Sequence, residues 1–352
     1  MVFYVSKLGD NSDGSSWRTA FHTIQRALLA VPDDKGGHRI IVRPDTYCEA
    51  NLYTEHKGAA GAYNQLIGDF DGRLGSGAKG WVVIDSGDPE LGFKSYDWWS
   101  CIRAYSKGWS PEHNEESFSS VCFDRWYFRG LYFCGADGGL FFDGLGSTDP
   151  FSILAEDCVG IGRAFGAGAA GLLSRPDEPP TFRRCRFYAL DYIGDTAAFY
   201  LRMENPSMPG SPDAILEDCV LIAPQACLKS TNYSLIPYTW SSLKRCTLIQ
   251  LNFTQPEMAG TRGVPGIVTS VQRGDRMKVS FEDCTLMGYQ AFGVLVETET
   301  VRDIVCETRG DCRIYQQFKQ ELPRGFRRLG KWPVEVFALL APPNPDQTPT
   351  GR

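Results

Sequence analysis

The sequence predicts an all-β protein built as a solenoid, a parallel β-helix with a helix that caps its N-terminal end. Six short segments, each β-prone and followed by a turn, end in a cysteine, and 24 to 38 residues separate successive cysteines. These residues are Cys134, Cys158, Cys185, Cys219, Cys246 and Cys284. One supersecondary unit is therefore repeated with loops of variable length. Because successive coils lie about 4.8 Å apart, the thiols are predicted to stack as an internal ladder.

Disulfides and a metal site are the alternatives for these cysteines. The sequence contains no CxxC pair or Cys/His cluster, which a zinc site would need. The remaining six cysteines show no regular framework: Cys48, Cys101, Cys122, Cys227, Cys306 and Cys312. An interior free cysteine behaves as a small hydrophobic residue. Twelve mostly unpaired cysteines suit a reducing compartment.

Charge and hydropathy narrow the choice of partners and location. The net charge is −6, and a basic stripe at the level of the whole chain is missing, so nucleic acid is not an expected partner. No stretch of 18 apolar residues occurs, so we expect neither a transmembrane helix nor a membrane partner. The N-terminus lacks the apolar segment of a signal peptide, which predicts a cytoplasmic protein, or a secreted one if a signal was removed.

At 352 residues the chain could hold two average domains, but each coil of a solenoid needs only its neighbours, so we expect one. The predicted parts are an N-terminal cap and first strand (1–50), coils (51–312) with a Trp-rich insertion near 95–118, a C-terminal cap (313–341) and a disordered tail (342–352). Solenoids with flat exposed faces often associate, so a homo-oligomer remains open.

The N-terminal cap is predicted from helical periodicity. Phe21, Ile24, Leu28 and Val31 recur at helical spacing, and Pro32 ends the pattern. Such a helix cannot bury its apolar face alone. It is therefore expected to cover the open end of the coil stack, as terminal units of solenoids must.

The same region carries a family resemblance. The segment FYVSKLGDNSDGSSWRTAFHTIQRALLAV is followed by a strand with Ile40, Val42, Pro44, Tyr47 and Glu49, and aspartate stands at position 45 where glycine is usual. This arrangement resembles the N-terminal signature of right-handed parallel β-helix proteins of the pectate-lyase-like superfamily. The resemblance implies the fold, but not the reaction, because the superfamily includes lyases, hydrolases, epimerases and non-catalytic spikes. No cofactor is required; many lyases of this fold use calcium, which stays open here without assigned ligands.

Candidate site residues come from the strand that follows each cysteine unit. Alternation in AAFYLRMEN points Phe199, Leu201 and Met203 inward and the residues between them outward. Stacking the coils then gives an outward line: Asp143, Arg175, Arg202, Glu204, Lys229, Arg273 and Glu297. One interpretation is a groove for a uronate-containing polysaccharide, whose carboxylates arginine can bind bidentately. The other is a solvated sheet face whose opposite charges pair across coils.

Two reactions can be placed on this line. A polysaccharide lyase would use Arg202 to neutralise the uronate carboxylate and Lys229 to take the C5 proton, with Arg175 and Arg273 as subsite cations. Lysine acts as a base only when its amine is neutral, which neighbouring arginines favour. An inverting glycoside hydrolase would instead use Asp143 and Glu204, roughly 2 × 4.8 Å apart if directly stacked, near the upper limit for inversion.

Aromatic residues in the loops offer a further substrate contact. Trp98, Trp99, Tyr233 and Trp240 are candidate sugar-stacking platforms, since an aromatic face buries the C–H face of a pyranose. Packing of these loops onto the coils is the alternative. The leading prediction is thus a carbohydrate-active enzyme, a lyase before a hydrolase, and the alternative from another class is a non-catalytic glycan-binding or structural β-helix protein.

Overall fold

The computed structural model describes 13 segments of the chain. They are residues 1–50, 52–86, 123–135, 138–143, 150–170, 173–190, 196–203, 211–232, 238–251, 266–272, 276–296, 304–317 and 321–347. The statements below concern these segments. Three long sheets, A, B and C, contain nearly all their regular structure, and each strand pairs in parallel with its neighbours in the sheet.

Sheets A and B contain ten strands each, and sheet C contains six. In spatial order, sheet A consists of Val2–Val5, Arg39–Val42, Asn64–Gly68, Trp126–Arg129, Ile153–Glu156, Thr181–Arg183, Ala214–Glu217, Tyr238–Lys244, Arg276–Glu282 and Ile304–Arg309. Sheet B consists of Asp45–Cys48, Val82–Asp85, Leu131–Gly135, Val159–Gly162, Arg186–Ala189, Val220–Ala223, Thr247–Gln250, Thr285–Gly288, Cys312–Gln316 and Phe326–Arg328. Sheet C consists of Gly138–Asp143, Phe165–Ala170, Ala197–Met203, Leu228–Asn232, Val268–Gln272 and Phe292–Val296.

One coil visits the three sheets in the order A, B, C. A typical coil runs through Ile153–Glu156, Val159–Gly162 and Phe165–Ala170. A separate two-stranded parallel pair, Pro150–Phe151 with Leu173–Ser174, lies between sheet C and the next strand of sheet A along the chain. Consecutive strands of a sheet come from successive coils. Residues at the same position in successive coils therefore form a lateral row across the sheet.

The turn from sheet A to sheet B contains one residue with left-handed backbone geometry. In five coils this residue is not glycine and has φ between 52° and 55°: Asp157, Arg184, Asp218, Arg245 and Asp283. The left-handed conformation costs roughly 1–2 kcal/mol for an L-residue with a side chain. Stacked acidic and basic side chains at these turns form ion pairs between coils, such as Arg184 Nε with Asp157 Oδ1 at 2.7 Å, which offset that cost.

A buried cysteine follows each of these turns and forms the internal ladder. Its members are Cys158, Cys185, Cys219, Cys246, Cys284 and Cys312, each at most 1% exposed. The prediction for Cys134 was wrong: Leu131 occupies that rung, and Cys134 lies half-buried on the outer face of sheet B. Cys312 takes the sixth place instead. All ten described cysteines are free thiols.

The interior between the three sheets is filled with aromatic and aliphatic side chains. Phenylalanines supply much of its volume: Phe128, Phe133, Phe142, Phe182, Phe187, Phe199 and Phe281, each at most 1% exposed. Each such ring contributes about 1.5–3 kcal/mol through burial. Because the rings come from all three sheets and pack edge to face, they fix the distance between the sheets.

A short helix packs at the first end of the stack. It spans Ile24–Leu29 and buries Ile24, Ala27 and Leu28 in the core. The carboxylate of Glu49 accepts hydrogen bonds from the Ile24 and Gln25 backbone N–H groups at 2.7 and 2.9 Å, which satisfies two donors at the helix N-terminus. No helix in the described segments is long and apolar enough to cross a membrane.

The C-terminal segment lies over the outer face of sheet B. After the last strand, residues 329–341 run back across the sheet and include a 3-10 helix, Val334–Leu339. Val336 is buried there among apolar residues of the sheet, and the Tyr188 hydroxyl contacts the carbonyl oxygens of Leu339 and Ala341 at 3.1 and 3.3 Å. This segment therefore covers an apolar surface that extends over several coils.

Candidate functional site

The outer face of sheet C is where the sequence predicts the catalytic line. Phe199 and Leu201 belong to the interior core, and Tyr200 belongs to a separate cluster on the outer side, as the alternation predicts. The lateral row through Tyr200 consists of Phe141, Gly168, Tyr200, Lys229, Thr269 and Gly293. The next outer row consists of Asp143, Ala170, Arg202, Thr231, Val271 and Leu295.

Three nearly parallel rings form the first part of this face. The Phe165 ring lies 5.0 Å from that of Phe141 and 4.8 Å from that of Tyr200, and the latter two lie 6.3 Å apart, with interplanar angles of 15°, 12° and 8°. Gly168 holds the middle place of the row, and a Cβ there would come within 2.1 Å of the Tyr200 carbonyl oxygen. Phe141 and Tyr200 are each only 4% exposed, so this part of the face is aromatic and buried.

Lys229 occupies the rung after Tyr200. It pairs in register with Tyr200 on one side and Thr269 on the other. Its register places it in the same row as Tyr200, but only 1% of the residue is exposed, so it does not line an open, solvated groove. Burying an ammonium group costs several kcal/mol unless polar groups surround it, and Lys229 does have polar interactions. One of its neighbours, the Tyr200 hydroxyl, donates to Thr231 Oγ1 at 3.1 Å.

Arg202 and Asp143 share the second outer row. Ala170 separates them, so their backbones lie two strands apart, roughly 2 × 4.8 Å. Arg202 is also on the strand adjacent to that of Lys229, displaced by two residues along it. The residue level with Asp143 is thus Arg202 and not Glu204. The other predicted residues Glu204, Tyr233, Arg273, Glu297, Trp98 and Trp99 lie outside the described residues.

Comparison with known proteins adds a structural neighbour. No protein-family model and no curated protein matches the chain. Among solved structures, the crystal structure of the pectate lyase Pel9A is similar, with a TM-score of 0.56 over 93% of this chain and 73% of that protein, at 13% sequence identity. The chain is a parallel β-helix protein. At this identity the likeness establishes the fold, and the reaction has to be argued from the site.

Arg175, a predicted subsite cation, braces two coils of this β-helix. Its guanidinium binds the carboxylate of Asp124, with Nε to Oδ1 at 3.1 Å and Nη2 to Oδ2 at 2.7 Å. Asp124 is fully buried, and its Oδ1 also accepts the backbone N–H of Ser152 at 2.9 Å. The hydrogen bonds to Asp124 raise the pKa of Arg175. This cation is therefore engaged by the protein, at the corner between sheets C and A.

Trp240, a predicted sugar platform, lies on the outer face of sheet A of the β-helix rather than beside the sheet C rows. Its indole N–H donates to Ser280 Oγ at 2.9 Å. The Lys278 ammonium lies 3.9 Å from the centroid of the ring, and the same ammonium pairs with Glu307 at 3.2 Å. A cation therefore covers one face of this ring, which leaves that face unavailable for stacking on a sugar.

The sequence reasoning missed the cluster of nearly parallel rings. The signal for it was the glycine-rich strand FGAGAA, whose one large side chain is Phe165. Within the described segments, no group of three or more His, Cys, Asp or Glu side chains lies close enough to hold a metal ion, and calcium stays an open cofactor.

Proposed function

We propose that this protein is a polysaccharide lyase that cleaves a uronate-containing glycan by β-elimination on the outer face of sheet C. The observation that supports the proposal is the register of the two outer rows. It sets Lys229 diagonally beside Arg202 on adjacent strands, with Arg202 level with Asp143. A base next to a carboxylate-binding cation is what β-elimination needs, whereas hydrolysis needs two carboxylates facing each other.

In the proposed reaction Arg202 binds the uronate carboxylate and stabilises the negative charge that develops as the C5 proton leaves. Lys229 takes that proton, which requires the groups that cover this residue to give way to the substrate, because only 1% of it is exposed. The electron pair of the C5–H bond forms the C4–C5 double bond, the C4–O bond breaks, and the departing oxygen takes a proton from water. Arg273 remains a proposed subsite cation.

The test is a paired assay on polygalacturonate, alginate and neutral glycans, each with calcium and with a chelator. An unsaturated product absorbs in the ultraviolet, so absorbance and reducing ends should rise together. We expect Lys229→Met to lower the rate by about 100-fold or more with the fold intact by circular dichroism. The control is Lys244→Met, which removes a strand lysine from the outer face of sheet A and should keep the wild-type rate.

Each other outcome identifies a different function. Reducing ends without ultraviolet absorbance would replace the lyase by the hydrolase that uses Asp143 and Glu204. Full activity of Lys229→Met would remove this residue from the mechanism. If no glycan gave either product signal while glycan binding was retained, the protein would be a non-catalytic glycan-binding β-helix.

A further inference from the structure

Acidic and basic side chains alternate from coil to coil along the edge of sheet A that leads into the left-handed turns. This charge ladder consists of Arg129, Glu156, Arg183, Glu217, Lys244, Glu282 and Arg309, which are lateral neighbours in register. Ion pairs join its rungs, for example Arg183 Nε with Glu217 Oε2 at 2.8 Å. Each inner rung therefore has opposite charges on both sides.

The left-handed turn residues form a second column with the same alternation. Arg245 Nη2 contacts Asp218 Oδ2 at 2.6 Å, and this guanidinium lowers the pKa of the Asp218 carboxyl below its usual value. Like charges directly opposite on neighbouring strands are destabilising, so alternation is the arrangement that a stack of charged turns requires. The pattern neutralises the charges of these coils locally.

The alternation breaks at the last coil. Sheet A and the charge ladder end at Arg309, and Arg324 precedes the last strand of sheet B, whose Phe326 pairs with Cys312. Arg313 and Arg327 are direct neighbours in register, and both contact the single carboxylate of Asp311, at 3.7 and 3.2 Å. Two adjacent arginines thus share one acid, which is the opposite of the pattern along the charge ladder.

This departure produces a basic end of the stack in an acidic protein. Residues 309–331 contain seven Lys and Arg but only two Asp and Glu, whereas the whole chain has a net charge of −6. The described cations of this basic end are Arg309, Arg313, Arg324, Arg327, Arg328 and Lys331, and all except the half-buried Arg313 are exposed. A concentrated positive surface attracts polyanions, and the attraction weakens with salt.

We propose that the basic end is a second docking surface for an acidic glycan, whose uronate carboxylates pair with its arginines. The inference rests on the uronate substrate proposed above. Arginine forks bind carboxylates bidentately. Arg313 and Arg327 share the one carboxylate of Asp311, and Arg324, Arg328 and Lys331 add exposed positive charge to the same end.

The basic end is remote from the proposed catalytic rows. The strand Val220–Ala223 belongs to the coil of Lys229, and Phe326–Arg328 lies four strands further along sheet B, roughly 4 × 4.8 Å. A short oligosaccharide held at Lys229 would not reach it. The surface should therefore raise affinity for polymers and leave turnover of short substrates unchanged.

The experiment compares two double variants that remove the same charge. Arg324→Gln with Arg327→Gln changes the basic end, and Arg184→Gln with Arg245→Gln removes two exposed turn arginines from neutralised coils. Binding to long polygalacturonate is measured by calorimetry in chelator, in a Lys229→Met background so that the polymer stays intact. We expect at least about tenfold weaker binding for the basic-end variant and less than about twofold for the control.

Several results would overturn the inference. Equal losses in both double variants would mean that only net charge matters, and unchanged binding in the basic-end variant would remove the surface altogether. Equal affinity for heparin or duplex DNA would make it a general polyanion site. Cleavage of short oligouronates, assayed separately in the Lys229-containing variants, tests the lyase proposal. The lyase proposal can fail while polymer binding at the basic end persists, or hold while that binding is absent.

Discussion

At the scale of single residues, the cysteine ladder shows how a weak hydrogen-bond donor fits a solenoid interior. Cys219 Sγ lies 3.4 Å from the Phe182 carbonyl oxygen of the preceding coil and 3.3 Å from that of Glu217 in its own turn. Cys246 makes the equivalent contacts one coil later. The thiol is small enough for the narrow turn and satisfies carbonyl groups there, which a purely apolar side chain of similar size would not do.

Burial makes three of these thiols unreactive. It raises the pKa of Cys158, Cys185 and Cys219 well above the usual value, and at neutral pH the thiolate that reacts with alkylating agents is scarce. We expect iodoacetamide to modify the exposed Cys48 in the native protein and to reach these three only after denaturant is added, as read by peptide mass spectrometry. Native labelling of Cys185 at the rate of Cys48 would contradict a closed interior.

Predictions from the sequence pattern fail at single residues for physical reasons. Cys134 follows a β-prone segment like the others, but its turn residue is Gly130, four positions earlier, so Leu131 fills the rung. Cys312 escapes the pattern because one extra residue, Asp311, separates it from the left-handed Gly310. The alternation of inward and outward residues assigned Lys229 to the outer face. A period of two residues along a strand cannot show whether that face is open to solvent or covered.

At the scale of elements, the side chains on the outer face of each sheet determine which surfaces remain available to a ligand. Sheet A presents paired charges, the first strands of sheet C present stacked rings, and sheet B presents an apolar face. Parallel strands with apolar residues on both sides need cover on each. Residues 329–341 provide that cover over sheet B, so the end of the described chain stabilises coils far from it in sequence.

Two valines of the 3-10 helix test this cover. Val336 is 4% exposed against sheet B, whereas Val334, two residues earlier, is 77% exposed. We expect Val336→Asp to lower the free energy of unfolding by about 2–4 kcal/mol, because a carboxylate would enter an apolar contact. Val334→Asp is the matched control and should leave urea unfolding unchanged. Equal midpoints for the two variants would mean that the segment does not stabilise the sheet.

At the scale of the whole molecule, repetition made the fold predictable. One unit with a strand, a turn and a cysteine recurs, and only a coil stack accommodates such repeats with variable loops. The candidate site was less predictable because it is assembled across coils. Asp143 lies level with Arg202, with Ala170 between them, because of the register between strands, which the lengths of the intervening loops do not determine.

Each coil is stabilised by contacts with its neighbouring coils. The effect of a cavity on stability should therefore depend on the position of its coil along the stack. Phe182 packs edge to face on Phe187 and Phe199, at 5.7 and 5.1 Å, in a central coil. Phe326 packs similarly on Phe281, at 5.5 Å, but belongs to the last strand of sheet B. A central coil has neighbours on both sides and a terminal one has a single neighbour, so loss of the central ring should spread in both directions.

We therefore expect Phe182→Ala to cost about 3–5 kcal/mol of global stability and to speed amide hydrogen exchange throughout the central strands. Phe326→Ala should speed exchange in Cys312–Gln316 and Phe326–Arg328 while strands such as Arg186–Ala189 keep wild-type protection. Exchange followed by mass spectrometry resolves the two patterns peptide by peptide. If Phe326→Ala opened the central strands as well, the stack would unfold as one cooperative unit, and the terminal coils would be essential to its stability.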